Sequence, residues 1–170
     1  MQAGDIFLFR AEKAFFSKVI AWGTNSKYSH VAICISPEMN LAIEAMTKGG
    51  VRARDIRSIT EAYDIYRIKD KSLLYLNKTA SFLVSKLNSN YDYFGVVFLG
   101  TLKLLSKILG KTLKNIANKW QKDRDYFCSE LCCEAFYNGS HIDIVPHIEE
   151  WDIASPGDIA KSSVVEMVVA

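Results

Sequence analysis

The sequence predicts an α+β fold: a small, mostly antiparallel sheet with helices packed against it. Three observations lead there. Short segments rich in β-branched and aromatic residues recur through the first part of the chain, at 5–10, 30–36, 41–46 and 65–68, with Pro37 and Gly49-Gly50 as turns between them. Apolar residues then recur at three- and four-residue steps over 72–88 and again over 94–110, the spacing of amphipathic helices. Finally, 170 residues at 49% hydrophobic content fit one compact domain, 1–170, with a sizeable core and no internal repeat or linker.

The elements follow in order. Asp5 to Arg10 sets Ile6 and Leu8 against Phe7 and Phe9, a short strand apolar on both faces. Residues 11–22 place Ala14, Phe15, Val19, Ile20 and Trp22 at helical spacing, and Gly23-Thr24-Asn25-Ser26 ends that helix. His30 to Ser36 and Leu41 to Met46 resemble a hairpin, and Gly49-Gly50 marks the next turn. Ile65 to Ile68 forms another strand. Leu73, Leu76, Ala80, Leu83, Val84 and Leu87 define the first long helix. Phe94, Val97, Phe98, Thr101, Leu102, Leu105, Ile108 and Leu109 define the second, which Gly110 stops. A third helix runs from Ser129 to Tyr137 and closes at Asn138-Gly139. Ser155-Pro156-Gly157-Asp158 introduces a final strand through Val164 and Val169.

Composition excludes several classes. The high apolar content argues against disorder, and a net charge of +2 is too small for a polyanion-binding role unless the charges are uneven. They are uneven: Lys103, Lys107, Lys111, Lys114, Lys119, Lys122 and Arg124 stand against the single acid Asp123. The aromatic-plus-basic signature of RNA-binding sheets is absent, as are Gly-rich phosphate loops, so no nucleic-acid partner is expected. The start, Met1-Gln2-Ala3-Gly4-Asp5, does not resemble a secretion signal, and no run approaches the roughly 18 apolar residues that span a bilayer. The expectation is a cytoplasmic protein with reduced thiols, since Cys128, Cys132 and Cys133 crowd one segment and no spacing matches a CxxC pair.

Three residues carry the chemistry. His30, Glu44 and Cys128 each sit in an apolar setting, and a thiol, an imidazole and a carboxylate form the minimum set for nucleophilic cysteine chemistry. Cys128 precedes a helix, whose free N–H groups and macrodipole favour a thiolate and can hold an oxyanion, a contribution of about 3 kcal/mol for one donor. Its alternative is core packing, in a stripe with Leu131, Cys132, Ala135 and Phe136. His30 opens a strand after a polar loop; the alternative is an imidazole bonded to backbone. Glu44 lies inside Leu41-Ala42-Ile43-Glu44-Ala45-Met46, where burial without a partner is costly. Pairing with His30 across neighbouring strands relieves that cost and sets the tautomer. The alternative for Glu44 is the solvated side of an edge strand. Tyr28 and Tyr126, adjacent to these segments, are candidates to line the substrate pocket, with aromatic core packing as the alternative. Zinc is not expected: Cys128 and Cys132 supply two ligands on one helix face, but no second compact pair appears.

At these segments the chain resembles the circularly permuted papain-like hydrolases of the NlpC/p60 superfamily, in the YiiX/YaeF-like branch. Gly4-Asp5-Ile6 resembles the opening, Tyr28-Ser29-His30-Val31-Ala32-Ile33 the His strand, and Leu41-Ala42-Ile43-Glu44-Ala45 with Gly49-Gly50-Val51-Arg52 the third-member strand and its turn. Phe127-Cys128-Ser129-Glu130-Leu131 resembles the nucleophile helix and Pro156-Gly157-Asp158-Ile159 the closing strand. The resemblance implies a permuted papain-like fold, with Cys128 as nucleophile, His30 as general base and acid, and Glu44 as the orienting acid. No cofactor or metal is expected, and the resemblance implies a thiol hydrolase that cleaves an amide in a small peptide-like or N-acyl substrate through an acyl-enzyme. Two alternatives stay open. One is a lipid-directed acyl hydrolase or acyltransferase, motivated by the apolar face and lysines of 94–111, which suit peripheral contact with an anionic membrane. The other is a binding module without turnover.

Overall fold

The computed structural model describes residues 1–11, 25–91, 125–148 and 154–168. The helix expected over 11–22 lies, Ala11 apart, outside them, as do the helix of 94–110 and the basic segment 103–124. The described elements are β1 (Ile6–Arg10), β2 (Tyr28–Ser36), β3 (Leu41–Met46), β4 (Gly50–Asp55), β5 (Tyr63–Ile68), α1 (Leu76–Ser85), β6 (Asn90–Tyr91), β7 (Asp125–Tyr126), α2 (Cys128–Ser140), α3 (Pro156–Lys161) and β8 (Val165–Val168). Short 3₁₀ turns follow β4 and β5.

A six-stranded sheet runs in the order β4-β3-β2-β1-β5-β8, and every neighbouring pair is antiparallel. β1 is central, which explains why its residues are apolar on both sides. Ile6 and Leu8 join the main core with Val31, Ile33, Ile43, Leu131 and Phe136, while Phe7 and Phe9 join a smaller cluster with Ala32, Cys34, Ala42 and Ile56. Fully burying such a side chain contributes about 1.5–3 kcal/mol, so the sheet is held from both faces. The short strands β6 and β7 pair in parallel and place Tyr91 beside Tyr126 in the backbone register.

Helix α2 starts at Cys128, one residue before the expected start, and ends at Ser140, with His141 in the left-handed region at φ 57. Asn138-Gly139 therefore does not stop it. Gly139 instead lets α2 touch α1: a Cβ there would lie 2.4 Å from the Thr79 Cα. Beside it the Ser140 hydroxyl accepts the Tyr75 N–H at 2.9 Å and pairs with the Thr79 hydroxyl at 2.8 Å.

Two expectations are corrected. Gly50, read as part of the Gly49-Gly50 turn, instead opens an edge strand, Gly50–Asp55, in which Val51 is buried while Arg52 points outward from the main core and pairs with Glu44. Ser155-Pro156-Gly157-Asp158 opens α3 rather than a strand: Asp158 accepts the Ser155 N–H at 2.9 Å and its hydroxyl at 2.6 Å, and Pro156 occupies the first helical turn. The strand expected beyond it begins only at Val165. Gly157 sits so close to the loop before β2 that a Cβ would come within 2.4 Å of the Ser26 Cβ.

Candidate active site

Ladder register decides which side chains meet. Residues opposite each other in an antiparallel pair share a face, as do residues two apart along a strand. Phe9 pairs with His30, Ala32 with Glu44, Glu44 with Arg52, and Ala42 with Arg54. Phe9, His30, Glu44, Arg52 and Arg54 therefore converge on one face of four consecutive strands.

The contacts bear this out. His30 Nε2 lies 2.9 Å from Glu44 Oε2. Arg52 donates from Nε and Nη2 to Glu44 Oε1 at 3.0 and 2.8 Å, and Arg54 donates from Nη1 to Oε2 at 3.2 Å. Glu44 is fully buried, and these partners are what make a buried carboxylate tolerable. Burial opposes its charge, but the His30 hydrogen bond and charge, followed by Arg52 and Arg54, hold its pKa down at about 2. An ionised carboxylate can only accept, so His30 Nε2 carries the proton and Nδ1 is left for another partner.

Cys128, the first residue of α2 and 7% exposed, is near enough to act on the imidazole. Burial on its own would lower the imidazole pKa; the charge and hydrogen bond of Cys128, then those of Glu44, outweigh it and raise the value to about 9. The start of α2 is pinned by two contacts. Glu130 accepts the Phe127 N–H at 3.3 Å, and the buried Ser129 hydroxyl donates to the Ala154 carbonyl at 2.7 Å.

Cys128, His30 and Glu44 thus come together from α2, β2 and β3. Tyr28 does not join them. A bulge at Ser29, where the register steps from Phe9–His30 to Arg10–Tyr28, breaks the alternation and turns Tyr28 into the main core. It is 2% exposed, its hydroxyl donates to Asp64 at 2.6 Å and pairs with Tyr66 at 3.1 Å, and burial followed by the Asp64 bond pushes its phenol well above the ordinary range. Tyr28 is therefore a packing residue rather than a pocket wall. The Tyr126 side chain lies outside what the structure describes. Cys34 is buried with its thiol pushed up to about 11, chiefly by burial, and burial raises Cys132 and Cys133 as well.

Sequence reasoning missed Arg52, Arg54 and Phe9 as parts of the site. The signal for the arginines was the alternation Val51-Arg52-Ala53-Arg54 beside a strand holding a lone acid. Among the described residues, no group of three or more His, Cys, Asp and Glu side chains is arranged to hold a metal ion. Nor is any described helix long and apolar enough to cross a membrane.

The site thus sets a carboxylate and an imidazole on neighbouring strands of an antiparallel sheet, beside a thiol at a helix start. The sequence profile of the family described as permuted papain-like amidase enzyme, YaeF/YiiX, C92 family, matches residues 1–96, and the chain belongs to that family. The matched region holds His30 and Glu44 and ends before Cys128. Among solved structures, the crystal structure of the metalloprotein yiiX from Escherichia coli O157:H7 is similar in fold, with a TM-score of 0.69 at 18% identity over 99% of this chain and 96% of that one. No curated protein matches the chain in a sequence comparison.

Proposed function

We propose that this protein is a thiol amide hydrolase in which Cys128 is the nucleophile, His30 the general base and acid, and Glu44 the residue that orients His30. The observation that carries the reading is the His30–Glu44 pair, with Nε2 2.9 Å from Oε2, beside Cys128 at the start of α2. In the first step Cys128 Sγ bonds to the amide carbonyl carbon, and the backbone N–H groups at the start of α2 receive the developing oxyanion. The His30 imidazolium protonates the leaving amine as the C–N bond breaks, which leaves a thioester. Neutral His30 then takes a proton from water, the hydroxide adds to the thioester carbon, and the acid leaves as the thiol is restored. Glu44 stays ionised throughout and keeps the ring in one tautomer.

The substrate class follows from the same reading: a peptide-like or N-acyl amide. The experiment is mass spectrometry of the full chain after brief reaction with N-acyl and peptide p-nitroanilides, looking for an acyl adduct on the Cys128 peptide. Cys128→Ala should show neither adduct nor p-nitroaniline release. The reading is lost if Cys128 alkylates no faster than Cys34 and Cys128→Ala hydrolyses every tested amide at the wild-type rate.

The composition of 94–111, a stretch outside the described residues, supports one second reading, a lipid-directed acyl hydrolase or acyltransferase. Sedimentation with anionic vesicles at low salt tests it, and absence of binding removes it.

A further inference from the structure

Four side chains around the candidate site form a closed ring, one from each of four consecutive strands. Arg54 on β4 donates to Glu44 Oε2 on β3, and the same oxygen is 2.9 Å from His30 Nε2 on β2. The His30 ring packs on Phe9 of β1 with centroids 5.1 Å apart, and Arg54 Cζ stands 5.5 Å from the Phe9 centroid. In a flat sheet β1 and β4 would be about 14 Å apart. The reach of the arginine side chain brings the two ends of the ring together.

The two arginines on Glu44 are not equivalent. Arg52 holds Oε1, the oxygen His30 does not use, and its side chain is 43% exposed. Arg54 shares Oε2 with His30, is 11% exposed, and is anchored at its far end by Glu61 at 2.7 Å. Two donors on one oxygen fix the direction of its lone pairs, so the carboxylate cannot swing away from the imidazole. On the other side the guanidinium lies over the ring against which the imidazole packs at a tilt of 38°. Phe9 is further wedged by Tyr63, with centroids 5.8 Å apart.

We infer that Arg54 is a positioning residue: through Glu44 on one side and Phe9 on the other it fixes the plane of the His30 imidazole against Cys128. This rests on the reading of Cys128, His30 and Glu44 as the catalytic set. The titratable groups that face His30 are Cys128 from α2 and Glu44 from β3; the charged Arg52 and Arg54 from β4 face Glu44, Glu61 faces Arg54, and Phe9 from β1 is uncharged.

A guanidinium that acted only as a charge and one that acts by holding geometry predict opposite shifts. Deleting a neighbouring cation favours the imidazolium and moves the His30 titration up. Releasing the carboxylate weakens the His30–Glu44 bond and moves it down. The experiment is NMR titration of the His30 ring in the full chain, as wild type, Arg54→Met and Arg54→Lys, together with the rate of Cys128 alkylation by iodoacetamide. In Arg54→Met the midpoint should fall by about half a pH unit or more, and alkylation at neutral pH should slow several-fold. Arg54→Lys keeps a charge but not a planar fork, and should move in the same direction; it decides the matter if Arg54→Met does not fold. A midpoint that rises or stays put overturns the inference. Wild-type Cys128 reacting no faster than Cys34 would instead remove the catalytic reading, while the His30 midpoint still reports on Arg54.

Discussion

Arg52 and Glu44 stand opposite each other in the β3–β4 ladder, and the arginine closes two nitrogens on the single oxygen Oε1. The other oxygen is shared by His30 and Arg54. Glu44 is thereby the buried centre of a small charge cluster, and the folded state binds its proton far more weakly than the unfolded chain does.

The first prediction concerns acid stability. A carboxyl lowered from 4.5 to about 2 contributes stability that is present above pH 4.5 and lost as pH falls toward 2. Glu44→Gln cannot titrate at this position. Thermal melts of both proteins should therefore converge over that window, with wild type losing on the order of a few kcal/mol relative to the variant. Parallel curves would show that the cluster does not stabilise the carboxylate.

For His30 the sign is reversed. Its pKa is raised from 6.5 to about 9, so its contribution is complete below pH 6.5 and fades as pH climbs through 9. The melting-temperature gap between wild type and His30→Gln should shrink over that interval. A constant gap would mean that the pairing with Cys128 and Glu44 does not favour the imidazolium.

Turnover should separate the three site residues. Cys128→Ser and His30→Ala are expected to abolish amide hydrolysis, whereas Glu44→Gln should retain a residual rate, lower by up to about 10⁴-fold, because shape survives while the anion that orients the ring is gone. Steady-state kinetics on one p-nitroanilide checks all three. Full activity in each variant would refute the assignment.

Two glycines predict contrasting effects. Gly139→Ala drives a methyl into the Thr79 backbone where α1 and α2 touch, and should destabilise by about 1–3 kcal/mol or more in denaturant melts. Gly157→Ala pushes on Ser26, just before the strand that carries His30, and should lower turnover more than stability. Equal melting and equal rates would show that the backbone yields at both places.

Much of this site was legible in the sequence. A lone acid within Leu41–Met46 demanded a partner, and an imidazole on the neighbouring strand of a hairpin was the economical one. Cys128 was legible because it precedes a helical apolar pattern. Arg52 and Arg54 were hidden by the Gly49-Gly50 turn signal, which obscured the alternation after it. Tyr28 was named for its adjacency to His30, and a one-residue bulge at Ser29, which leaves no mark in the composition, turns it into the main core instead. The α3 start was readable, since Ser155, Pro156 and Asp158 form a helix-opening pattern; the valines beyond them drew the eye to a strand instead.

The stretch from Ala154 to Gly157 acts as a shared abutment for the two groups proposed to react. Ala154 takes the hydroxyl of Ser129, next to Cys128, and Gly157 rests against the loop that precedes the strand of His30. Sulfur and ring, far apart along the chain, are thus gauged from one short datum near the C-terminus. Wear or substitution at that datum shifts both halves of the machinery at once, and neither half contains the fault.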